Sequence, residues 1–114
     1  MAIRIFRCDA SQAKPIHAYA SVGAHSCEIA HGSGESHAYV VHIEPSGVIG
    51  PHPAGFDQVL IVVKGSGWVA GDDGNRHKIE EESCAFISLG EMHSEGSSTG
   101  MVAVMLQASS FNLF

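Results

Sequence analysis

The chain has 114 residues, 45% of them hydrophobic and 16% charged, and a formal net charge of −6 with its eight histidines neutral. That size and composition fit one globular domain over residues 1–114 and exclude a disordered chain. The six Lys and Arg residues are scattered, which argues against a nucleic-acid partner and against an anionic membrane surface.

Ile3 and Ile5 flank the polar Arg4, as in a short first strand. The segment 10–23 is mixed, contains Pro15 and reads as loop, with room for one short helix. Residues 27–30 suggest a second strand, and the glycine- and serine-rich segment 31–36 reads as a turn. From Ala38 to Glu44, Tyr39, Val41 and Ile43 fall on one face and His42 and Glu44 on the other, which predicts a half-buried strand. Pro45-Ser46-Gly47 ends it. Val59 to Val63 is an unbroken, β-branched run and predicts a strand buried on both faces.

Gly65-Ser66-Gly67 follows, then Trp68-Val69-Ala70 leads into Asp72-Asp73-Gly74-Asn75, a hairpin turn with Asp-Gly at its centre. Arg76 to Ile79 is the return strand, Glu80 to Glu82 an acidic turn, and Ala85 to Ile87 another strand closed by Ser88-Leu89-Gly90. Met101 to Gln107 is the last clear strand. The tail Phe111-Asn112-Leu113-Phe114 is apolar, so it is expected to dock on the domain or on another subunit. Short strands, thirteen glycines and no convincing amphipathic helix predict an all-β sandwich or barrel.

Cys8, Cys27 and Cys84 match no zinc or redox spacing and read as reduced thiols, Cys84 as a packing residue. No apolar run reaches signal-peptide or transmembrane length, so a cytoplasmic location is expected. His17, His25, His31, His37, His42 and His77 lie in loops or on polar strand faces and read as surface residues. Trp68 reads as a half-buried residue on a strand flank. The segment 96–100 has the spacing of a nucleophile elbow, but it joins two predicted strands rather than a strand and a helix.

Two stretches carry the chemistry. In the first, Gly47 is followed after four residues by His52, then by Gln58 and Gly65; the second is Ser88-Leu89-Gly90-Glu91-Met92-His93. Together they resemble the two motifs of the cupin superfamily, G-x5-H-x-H-x3,4-E-x6-G and G-x5-P-x-G-x2-H-x3-N. His52, Gly65, Gly90 and His93 match. Ala54 stands in place of the second histidine, Gln58 in place of the glutamate, Glu82 of the first glycine of the second motif, Ser88 of its proline and Ser97 of its asparagine. His52-Pro53-Ala54 followed by Gly65-Ser66-Gly67-Trp68 is similar to a branch of small bacterial single-domain cupins.

The resemblance implies a small cupin β-barrel, a jelly-roll-like double-stranded β-helix, with its core motifs at about residues 45–107. Even spacing would turn His52, Ala54, Gln58, Leu60 and Val62 inward along one strand, with His93 and Glu95 arriving from another. His52, Gln58, His93 and Glu95 are then the candidate ligands for Zn, Ni, Fe or Mn, and Tyr39, Val41, Ala54, Leu60 and Val62 candidate pocket lining. Two functions follow. One is a divalent-metal-dependent enzyme, dioxygenase- or isomerase-like, acting on a small polar metabolite. The other is a metal-free, non-catalytic module binding such a molecule. A homodimer is expected, with Ile3, Ile5, Phe6, Phe111, Leu113 and Phe114 available for its contact.

Overall fold

Alternation of apolar and polar residues needs a neighbouring strand to become structure, and here nearly every segment finds one. The computed structural model describes residues 3–114. Its strands are β1 (Arg4–Arg7), β2 (Lys14–Pro15), β3 (His25–Ser26), β4 (Ala30–Ile43), β5 (Gly47–Pro53), β6 (Asp57–Ala70), β7 (Arg76–Glu80), β8 (Ser83–Ile87), β9 (Met92–Ser97) and β10 (Met101–Leu113). All the pairings are antiparallel. Two short 3-10 turns, Ala10–Gln12 and Ala18–Ala20, and β2 occupy the segment read as loop, and β2 pairs with β3 just beyond it. No described helix is long and apolar enough to cross a membrane.

β6 is the spine. Its first half lies between β8 and β10 in the order β1-β8-β6-β10-β4, and its second half pairs with β7 and β9, which also holds β5. The change of sheet falls at Gly65, where φ is +78°. A Cβ there would run into the carbonyl oxygen of Gly100, so the position needs glycine for space as well as for its dihedral. The Gly65 N–H is taken up by the Glu81 carboxylate at 3.1 Å.

The two sheets enclose one apolar cluster, in which Ile43, Leu60, Val62, Val69, Ile87, Ala103 and Met105 are buried and against which Val41, Ile49 and Ile3 pack. Each Val, Leu, Ile or Met side chain among these contributes about 1.5–3 kcal/mol when fully buried. A second cluster of Val59, Cys84 and Phe86 is covered by Phe6, Ile61, Phe111 and Leu113, among others. The apolar tail therefore docks on its own barrel, within β10. Of the residues available for a dimer contact, Ile3, Phe6, Phe111 and Leu113 are engaged in these clusters, while Ile5 (40%) and Phe114 (63%) stay exposed.

Four expectations are corrected. Residues 27–29 form no strand, and of that segment only Ala30 is in one, as the first residue of β4. The segment 31–36 is not a turn but the first half of β4, because β10 runs on past Gln107 to pair with it across a register shift at Ala108/Ser110. Every residue from His31 to Ser36 is exposed, so the segment carries no hydrophobic signal. The run from His52 to Val62 is not one strand: Ala54, Gly55 and Phe56 interrupt it between β5 and β6. Val63 at the end of the apolar run is 52% exposed, so burial on both faces is confined to Val59, Leu60 and Val62.

Glu82, which stands at a motif glycine, has φ of +67° between β7 and β8. A side chain costs about 1–2 kcal/mol in that region, and glycine's extra chain entropy returns part of this. Glu82→Gly is expected to raise stability by about 0.5–1 kcal/mol, read as an upward shift of the urea midpoint; an unchanged or lower midpoint would contradict it. Ser97, at the motif asparagine, closes the turn from β9 to β10: its hydroxyl donates to the Ser66 carbonyl at 2.6 Å and accepts from the Gly100 N–H at 2.8 Å.

Candidate functional site

Residues two apart on a strand share a face, and on β9 this puts His93 and Glu95 side by side. Both are almost fully buried, at 2% and 1% exposure. Glu95 Oε1 lies 2.8 Å from His93 Nδ1. β5 runs antiparallel to β9 with His52 opposite His93, and a register shift between Ile49 and His52 sets that pairing. The two imidazoles lie with centroids 4.3 Å apart and planes inclined by 54°. His52 is on the exposed side of the pair, its Nδ1 2.8 Å from the Gly50 carbonyl oxygen.

A carbonyl oxygen only accepts hydrogen bonds, so His52 Nδ1 donates to Gly50, and His93 Nδ1 donates to Glu95 in the tautomer that pairs with a carboxylate. In the neutral rings each Nε2 then presents a lone pair. Among the described residues His93 Nε2 and Glu95 Oε2 are buried with no hydrogen-bond partner, an arrangement costly enough to call for an explanation.

The predicted residues divide at this point. His52, His93 and Glu95 come together, with Glu95 and His93 buried and His52 exposed. Gln58 is buried at 4% on β6, in register with Ile87 and Gln107. Leu60, Val62 and Ala54 belong to the packed central cluster, with Val41 against it. Tyr39 is apart from it, 51% exposed, and lies beside His37 with ring centroids 6.2 Å apart. The six histidines read as surface residues are all exposed. Trp68 is half-buried, with the Arg76 guanidinium 3.9 Å above its ring.

A metal requires more than two lone pairs from this chain. Among the described residues no group of three or more His, Cys, Asp or Glu side chains is arranged to hold an ion. Glu95 is turned to His93 Nδ1, the position of an outer carboxylate that orients a histidine rather than of a ligand. Gln58 is neutral, and Ala54 has no donor. Two imidazoles are half of a tetrahedral shell, so the side chains do not by themselves fit a resident metal ion.

Sequence reasoning missed Asp57, at the head of β6. Its carboxylate accepts from the Leu89 N–H at 2.8 Å and from the Phe111 N–H at 3.0 Å, tying the β8–β9 turn to β10. The signal available was an acid placed between a turn and an apolar strand.

No family model matches the sequence, and no curated protein matches it. Solved structures do. A cupin 2 domain-containing protein from Halorhodospira halophila superposes with a TM-score of 0.66 at 15% identity, over 98% of this chain and 79% of that one. A cupin-like protein from Thermotoga maritima gives 0.62 at 18% identity, over 69% of this chain and 64% of its own. A protein from Neisseria meningitidis gives 0.58 at 26% identity, over 72% and 82%. The switch at Gly65, the β5–β9 pairing of His52 with His93 and these superpositions agree: the chain has the all-β fold of the small bacterial cupins.

Proposed function

We propose that this small cupin binds a small polar molecule through the paired Nε2 atoms of His52 and His93, without a resident metal. The observation that carries the reading is the buried, unpartnered His93 Nε2 beside His52. Two lone pairs together accept hydrogen bonds, so the favoured ligand group is a donor, such as neighbouring hydroxyls or a primary amine. The net charge of −6 supports a neutral or cationic ligand over an anion.

A second reading has one observation in its favour. Glu95 on Nδ1 is the support that metal-bound histidines have, so a divalent transition metal that brought its remaining ligands with the substrate would use the same two lone pairs.

Both readings are tested on tag-free protein. Metal analysis after Zn²⁺ reconstitution is expected to give well under one equivalent. Titration with short polyols and primary amines is expected to move the imidazole ¹⁵N resonances of His52 and His93 and to spare the six surface histidines. Near-stoichiometric metal, lost in the double variant His52→Ala/His93→Ala, would replace the first reading with the second. Undisturbed His52 and His93 resonances across the whole probe set would sink the first reading outright.

A further inference from the structure

Two cysteines far apart in sequence, Cys8 and Cys84, meet at one corner of the barrel, with Cys27 in their neighbourhood. β1 pairs with β8, Phe6 opposite Cys84 and Arg7 opposite Ser83. The Cys8 N–H continues that ladder to the Glu82 carbonyl at 2.9 Å. Cys8 and Cys84 are thus diagonal neighbours on one face of the strand pair, and their sulfurs are 3.2 Å apart. Cys8 is half-buried and Cys84 fully buried.

Cys27 belongs to the same group. Burial first, then Cys8 and Asp9 beside it, push its thiol up. It lines a cleft of about 330 Å³ with Phe6, Arg7 and Lys14. Burial, then contact with Cys8, pushes the Cys84 thiol up as well.

We infer that Cys8 and Cys84 form a reversible disulfide that fastens β1 to β8, closed by exchange with a small disulfide oxidant. The steps follow from access. The half-buried Cys8, as thiolate, attacks one sulfur of the oxidant R–S–S–R, giving Cys8–S–S–R and releasing R–S⁻. Cys84, which solvent does not reach, then attacks the Cys8 sulfur as its thiolate and releases the second R–S⁻. The protein loses two protons and two electrons, and the oxidant leaves as two thiols. The sulfurs are already in contact, and the bond forms as they close from 3.2 Å to about 2.0 Å. Arg7 at the cleft is held by Asp9 and Glu80, and Glu28 lines the cleft with Lys14, so charge selects no particular oxidant and glutathione disulfide serves as a small, general one.

The test is incubation of the reduced protein with glutathione disulfide, followed by intact mass and peptide mapping. A mass lower by two hydrogens, a single Cys8–Cys84 linked peptide and recovery with dithiothreitol are expected, in wild type and in Cys27→Ser alike. The rate of closure is expected to rise about tenfold per pH unit below the thiol pKa values. Cys8→Ser, at a half-buried position, should stay free of any internal link. A stable glutathione adduct on Cys8, a Cys8–Cys27 link, or a protein that stays reduced would each overturn the inference.

Discussion

His93→Leu is expected to destabilise the barrel by about 3–5 kcal/mol, because it leaves the Glu95 carboxylate buried without its partner. Glu95 is 1% exposed and His93 Nδ1 is its only hydrogen-bond partner among the described side chains. The informative comparison is the double variant His93→Leu/Glu95→Leu. Replacing both members of a buried pair by apolar groups is often close to neutral, so the double variant should recover most of the loss. Urea unfolding of wild type, both single variants and the double variant measures the coupling directly. Additive losses in the double variant would show that the two side chains are not acting as a pair.

Gly65→Ala is expected to cost about 2–4 kcal/mol, the sum of an unfavourable positive φ and a collision with the Gly100 carbonyl. Both obstacles are backbone features, so no side-chain rotation relieves them. Because β6 changes sheets at this residue, the strain is felt by β10 on one side and by β7 on the other. A drop in melting temperature of about 10 °C or more is the expected readout for a domain of this size. Gly55→Ala is the control, since nothing lies within 4 Å of a Cβ there. Equal effects at the two positions would refute the argument from Gly65.

Much of the fold was legible because its signals are local. Alternation marked Tyr39, Val41 and Ile43, the Asp-Gly turn marked the β6–β7 hairpin, and Gly65 stood out as a motif glycine. What stayed hidden depends on distant partners. The segment 31–36 is exposed on both faces and is a strand because the backbone of β10 pairs with it, so its side chains carry no pattern. The pause at Ala54–Phe56 was masked by even spacing that suggested one continuous strand.

The site was legible to the same degree. His52 and His93 were marked by the motif, and strand parity placed Glu95 on the face of His93. The role of Glu95 was not legible, since parity says which face a carboxylate takes and not whether it touches an ion or a neighbouring imidazole. The meeting of Cys8 with Cys84 depends on β1 lying against β8, a pairing that no spacing in the sequence announces.

β10 lies between β4 and β6 although it follows both along the chain. During synthesis those two strands must therefore wait, each with an open edge, until the segment that joins them has emerged. Closing such non-local pairings is the slow part of folding an all-β domain, and open edges are where nascent chains join one another. The vulnerable moment for this protein is thus set by translation: the interval between the completion of β6 and the arrival of β10 is when a chaperone would matter to it most.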